Sequence, residues 1–158
     1  MKPRSNPRDA ARRQLSKMVL PAAAELNRLA DRWLEERLRL HGVSLAEFRI
    51  VGALLGEDTG LSQRELAGRL GVRPATVSGI LPQLERKGLI EKIGNPKDAR
   101  ANLVRLQEIK HKLEPVLAIV EELERLLFED VSPDDRSRLR DLLANAAGRI
   151  EPKDGSSP

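Results

Sequence analysis

Between Ser62 and Arg86 the chain sets short polar and basic side chains among apolar ones at helical intervals. Ser62, Gln63 and Arg64 open one helical pattern. Arg73, Ala75, Thr76, Ser78, Gly79, Gln83 and Arg86 are what a second pattern leaves exposed once its branched residues turn inward. These residue types do not make or break bonds. They donate and accept hydrogen bonds on the scale of base edges, and their guanidinium groups neutralise phosphates. A capped helix start at Ser62 adds backbone N–H groups that suit a phosphate. Further along, Lys97, Asp98 and Arg100 occupy a turn-rich segment. An arginine on a projecting tip suits a narrow, negative minor groove, with Asp98 as its orienting partner.

These groups need elements to hold them. Ser62-Gln-Arg-Glu65 is a capping box that opens LSQRELAGRL, and Gly71 supplies a tight turn. Pro74 sits at the start of a second helix, TVSGILPQLERKG, closed by Gly88. Leu66, Ala67, Leu70 and Val72 face Val77, Ile80, Leu81 and Leu84 across the turn, and small Ala67 lets the helices cross closely. Residues 89–93 and 102–106 alternate loosely around Gly94-Asn95-Pro96, which predicts a hairpin with a long basic tip. Upstream, Ser44-Leu-Ala-Glu47 is another capping box before a short apolar helix, and Gly56 and Gly60 bracket a loop.

Flanking helices complete the plan. Asn6-Pro7-Arg8-Asp9 reads as the start of a long helix over roughly 7–41, with Leu15, Met18, Ala22, Leu26, Leu29 and Trp33 along one side. Pro21 is expected to kink or split it, and Gly42 to end it. An acidic amphipathic helix from Ile109 to about Phe128 turns Leu113, Val116, Leu117, Val120, Leu123 and Leu127 inward, with Pro115 implying a kink near its start. Ser132-Pro133-Asp134-Asp135 caps a last helix with Leu139, Leu142, Leu143 and Ile150 on its apolar side. The apolar stripes of the first and the last two helices exceed what a small monomer can cover. Residues 1–5 and 151–158 read as disordered tails.

Composition narrows the function. The chain has 158 residues, 40% of them hydrophobic and 33% charged, and no cysteine. Disulfides, thiolate metal sites and thiol redox sensing by this chain are excluded. No apolar run suits a membrane span and the N-terminus lacks a signal peptide's apolar stretch, so a cytoplasmic protein without membrane partners is expected. The net charge of +4 is unevenly placed. Residues 62–105 carry nine Lys/Arg against four acids, while residues 112–130 carry six acids against Lys112 and Arg125. One face suits a polyanion and another something else. No Gly-rich phosphate loop, metal-ligand spacing or nucleophile motif is present, so no catalytic residue, metal or cofactor is expected and the chain does not read as an enzyme. Three aromatic residues are too few for a single-stranded RNA platform.

ELAGRLGVRPATVSGILPQLERKGLI followed by NPKDARANLVRL resembles the MarR family of bacterial winged-helix regulators, and the resemblance extends over roughly residues 10–150. Pairing of L-E-R-K-G-L-I with P-x-D-x-R carries it. It implies a mainly α fold of about six helices and a small β-hairpin wing, in one unit. Residues 44–106 form the DNA-binding lobe, and 7–42 and 109–150 the helices of a homodimer interface. It implies a repressor of pseudo-palindromic double-stranded operators, with Asp98 and Arg100 on the wing's Asp-x-Arg. Three departures stand out, one of them Pro115 near the start of the helix after the wing. Pro82 lies inside the second helix and is expected to bend or open it beside Gly79, and Leu106-Gln107 lacks the usual following glycine.

The resemblance also implies a small aromatic or phenolic acid as effector. Trp33, Arg37 and His41 share one face of the first helix at i, i+4 and i+8, and Phe48 begins the next, which would suit an aromatic carboxylate. The competing reading makes Trp33 and Phe48 core and Arg37 half of an intersubunit ion pair, in a regulator without an effector. A winged helix used as a protein-interaction module is the remaining alternative.

Overall fold

The computed structural model describes residues 7–96, 101–107 and 110–150. Asn6 and both tails lie outside the described residues. Seven helices and three strands appear among those described: α1 (Pro7–Leu15), α2 (Val19–Leu40), α3 (Leu45–Leu54), β1 (Leu61–Ser62), α4 (Gln63–Leu70), α5 (Pro74–Arg86), β2 (Ile90–Gly94), β3 (Asn102–Leu106), α6 (Lys110–Phe128) and α7 (Pro133–Ile150). The mainly helical architecture with a small sheet is the one the sequence implies.

The long first helix is two helices, and the break is not at Pro21. It falls at Ser16–Met18, and Pro21 is the third residue of α2. A proline in the first turn has no intrahelical N–H partner to lose, so it belongs there without distortion. Met18 at the N-cap offers no side-chain acceptor. At the far end Gly42 and Val43 donate to the carbonyls of Arg39 and Leu38, which closes α2.

Both capping boxes form. Ser44 and Glu47 cap α3, and Ser62 and Glu65 cap α4, each with both reciprocal hydrogen bonds. Gly71 then takes φ +63, a left-handed conformation that a side chain would disfavour, and Val72 donates back to the Ala67 carbonyl. α5 closes in the same hydrogen-bond pattern, Leu89 to Leu84 and Gly88 to Glu85.

The sheet is antiparallel in the order β1-β3-β2. Residue Ile90 faces Leu106, Lys92 faces Val104 and Gly94 faces Asn102, so the hairpin closes toward the wing tip. β1 was not foreseen. It adds Leu61 opposite Val104, and at two residues it is too short to show alternation. Gly60 permits this pairing: its φ is +78, and a Cβ there would stand 2.8 Å from the Val104 carbonyl oxygen.

The chain divides into two compact units, Met1–Ile119 and Val120–Pro158. The core of the first joins Ile50, Val51, Leu54, Leu61, Leu66, Ala67, Val77, Leu81, Leu84, Leu89, Ile90 and Val104. Leu70 and Ile80 pack against it partly buried, as their brace role requires, but Val72 is 40% exposed. It follows the Gly71 turn and lies on a crevice with Thr76 and Ile80 rather than under the helices. On α6 the buried positions are Val116, Ile119 and Leu123, while Leu117 and Leu127 are exposed. The buried stripe therefore runs through Ile119, one step round from the expected Leu117. Pro115 lies inside the helix and does not end it.

In the second unit, α7 begins as read, with the Ser132 hydroxyl accepting from the Asp135 N–H. No residue of α7 is buried, and Leu139, Leu142, Leu143 and Ile150 all stand exposed. No helix among the described residues is long and apolar enough to cross a membrane.

Candidate nucleic-acid interface

α5 is held from one side only. Val77, Leu81 and Leu84 are at most 1% exposed and sit at the three- and four-residue spacing of a buried helix stripe. The opposite arc must then carry the rest. Arg73, Ala75, Thr76, Ser78, Gly79, Gln83 and Arg86 are all exposed. Gly79 has open space where a Cβ would be, so nothing in the chain requires a glycine there. Pro82 lies on this exposed arc, and α5 continues through it to Arg86.

α4 meets this surface at its start. The Ser78 hydroxyl lies 2.6 Å from Gln63 Oε1 and 3.0 Å from the Pro74 carbonyl, and donates to them. The contact fixes the Gln63 carboxamide while its NH2 keeps its donors. The Ser62 N–H is taken by Glu65 and the Ser62 hydroxyl accepts from the Glu65 N–H, so Ser62 itself is spent on the cap. The backbone N–H groups of Gln63 and Arg64, in the first turn, are the ones an anion would meet.

The cations sort into two groups. Arg69 pairs with Glu57, Lys87 with Glu47, Lys92 with Glu85 and Arg105 with Glu91. Arg64, Arg73 and Arg86 have no carboxylate partner among the described residues and are exposed. Within the described residues of 62–105, the exposed cations without a carboxylate partner thus lie at the start of α4 and at the two ends of α5. Lys97, Asp98 and Arg100 lie outside the described residues; the strands that lead to them are joined last by the Asn95 N–H donating to the Ala101 carbonyl.

The remaining candidates do not form one cluster. The Arg37 guanidinium stacks on the Trp33 ring at 3.5 Å from its centroid, one helical turn apart on α2. His41 and Phe48 instead line a cavity of about 280 Å³ with Gly42, Val43, Val51, Lys87, Leu89, Leu113 and Val116. Trp33 and Phe48 are half-buried rather than core.

Sequence reasoning missed the polar link beside that cavity. Glu47 is only 2% exposed, and Lys87 Nζ lies 2.6 Å from its carboxylate and 2.7 Å from the Gly42 carbonyl. Burial pushes the Glu47 carboxyl up, but the Lys87 ammonium and the Ser44 N–H and hydroxyl outweigh it and hold the group below the usual carboxylate range. The capping box was legible. A lysine 40 residues away in the chain carried no local signal. Among the described residues no group of three or more His, Asp or Glu is placed to hold a metal.

A model of the MarR family matches residues 41–101, from the end of α2 to the wing. That match spans 61 of the 158 residues, the segment from the end of α2 through β2 toward β3. An HTH-type transcriptional regulator of Bacillus subtilis (strain 168), uncharacterised YdgJ, is 29% identical over 110 residues, which span 69% of this chain and 66% of that one. A MarR regulator from Methanosarcina mazei Go1 superposes with TM-score 0.71 at 23% identity, over 83% and 94% of the two chains. CouR from Rhodococcus jostii RHA1, bound to p-coumaroyl-CoA, gives 0.71 at 20% identity over 88% and 96%. The S. aureus MepR–DNA complex gives 0.64 at 20% identity over 84% and 98%. These likenesses place the seven helices and the small sheet in the winged-helix fold of those structures.

Proposed function

We propose that this chain is a MarR-family regulator, a homodimeric repressor that binds a pseudo-palindromic double-stranded operator. α5 enters the major groove, the start of α4 clasps a phosphate, and Lys97, Asp98 and Arg100 on the wing reach the minor groove. The observation that carries the reading is the sorting of cations around α4 and α5: within the described residues of 62–105 four are paired to carboxylates, and Arg64, Arg73 and Arg86 remain on the exposed face for phosphates and bases. MepR, a structural neighbour, has been captured on DNA. A protein-interaction module would have no use for that sorting. Footprinting on the chain's own promoter region tests it, with two protected half-sites about one helical turn or a multiple apart expected for a two-fold dimer. Arg100→Ala should weaken operator binding by about 1–3 kcal/mol, and more where A·T pairs lie beneath the wing. If Arg100→Ala binds every duplex as wild type does, the wing is not a reader.

A second reading adds an effector, and the cavity beside His41 and Phe48 favours it. It is mostly apolar, with an imidazole and an ammonium at its polar side, which suits a small aromatic carboxylate. CouR, a structural neighbour, was solved bound to p-coumaroyl-CoA. Trp33 and Arg37, stacked on each other, are then a surface feature of α2 rather than ligand contacts. Thermal shift and operator release with phenolic and indolic acids separate this reading from a regulator that responds only to its own concentration.

A further inference from the structure

Lys87 stands where three parts of the first unit meet. It is the C-cap of α5, directly after Arg86. Its ammonium donates to the carbonyl of Gly42, which follows the end of α2, and to the buried Glu47 carboxylate in the first turn of α3. The same residue lines the cavity with His41 and Phe48, and its side chain is 36% exposed against 3% for Glu47. Glu47 itself does not line that cavity. An anion entering it therefore meets the ammonium first, while Glu47 stays behind it.

We propose that Lys87 is a latch whose ion pair with Glu47 holds the DNA-binding setting of α5, and that a carboxylate ligand in the cavity opens it by drawing the ammonium away from Glu47. The inference rests on the small-molecule reading above. The chemistry is an exchange of partners. In the latched state two charges neutralise each other, and the Gly42 carbonyl satisfies a further ammonium proton. With ligand bound, Lys87 pairs with the ligand's carboxylate and His41 can donate to it. Glu47 then keeps only its hydrogen bonds from Ser44, and α5 loses the tie that anchors its C-terminal end to α2 and α3. Because one cation serves both partners, ligand and operator oppose each other through a single group. Anything that loosens the pair must favour ligand as much as it disfavours DNA. An uncharged amide of the same shape offers the ammonium no charge, so it neither competes with Glu47 nor opens the latch.

Glu47→Gln is the decisive variant. Glutamine at the third helical position still completes a capping box, so the helix start is kept while the ion pair is removed. The full-length protein is titrated by calorimetry with benzoate, 4-hydroxybenzoate and indole-3-acetate, with benzamide as the uncharged counterpart. Its affinity for the footprinted duplex is measured in parallel, and melting curves confirm folding. Wild type should bind the acids, not benzamide, and release the duplex. In Glu47→Gln, acid binding should tighten and duplex binding should weaken, each by about five- to tenfold, an ordinary size for coupled sites. Lys87→Met should lose the preference for acid over amide, and Lys87→Arg should restore it. A Glu47→Gln protein that weakens on both ligands, or changes on neither, overturns the latch while leaving acid binding standing. Failure of wild type to bind any of the acids at millimolar concentration overturns the latch and the small-molecule reading together.

Discussion

Glu47 shows how much one residue can carry. Its side chain caps α3, accepts from Lys87 and is nearly sealed from solvent. The pair is lopsided, with Lys87 more than a third exposed, so removing Lys87 would strand a buried carboxylate whereas removing Glu47 leaves an ammonium that water can solvate. The depressed Glu47 carboxyl gives the pH dependence a sign. A group held below its unfolded value adds stability above that value, and the addition is lost as pH falls through the folded one. Wild type should therefore exceed Glu47→Gln in stability at neutral pH, and the gap should shrink as pH drops below the ordinary glutamate range. Denaturant midpoints of both proteins across acidic pH read it directly, and a gap that stays constant would show that the charge on Glu47 is irrelevant. The exposed arc of α5 was readable from sequence because helical spacing alone separates Val77, Leu81 and Leu84 from Thr76, Ser78 and Gln83. Which of the nine basic residues of 62–105 are paired was not, because Glu57, Glu47, Glu85 and Glu91 meet their partners only through the fold.

Among the elements, helix starts were legible and helix interiors less so. Ser44, Ser62, Pro74 and Ser132 each open a helix because the capping chemistry is local. The break at 16–18 was placed at Pro21 instead, since a proline marks either an interior kink or a first turn and periodicity does not distinguish them. β1 escaped notice because its pairing depends on Gly60 and Val104, which meet across 44 positions of sequence. Pro82 remains the element-scale anomaly. It removes one backbone bond to the Ser78 carbonyl within α5, yet the helix continues. Pro82→Ala should restore that bond and stabilise the protein by roughly 1–3 kcal/mol, seen as a melting temperature several degrees higher. An unchanged or lower melting temperature would mean that the proline costs the fold nothing.

For the whole molecule, exposed apolar surface is the clearest unfilled requirement. In the first unit Met18, Val19, Leu20, Leu26 and Leu29 stand out on or beside α2; in the second, Leu126, Leu139, Leu142 and Leu143 do so on α6 and α7. Apolar surface of this extent marks an interaction site, and the proposed homodimer would supply a second copy to cover it. Leu142→Asp should turn a dimer into a monomer by sedimentation at micromolar concentration and weaken operator binding, because one recognition helix per molecule loses the second half-site. A wild type that sediments as a monomer would remove the two-fold operator from the account. The charge pattern of the whole chain, basic through 62–105 and acidic through 112–130, fits DNA at one surface and a different partner at the other. The central claim is that α5, with Arg64, Arg73 and Arg86 around it, reads duplex sequence. It is tested most directly by competing the footprinted duplex against a scrambled duplex of the same length at physiological salt. The account predicts a preference of at least about a thousandfold for the footprinted sequence, and equal affinity for the two would contradict it.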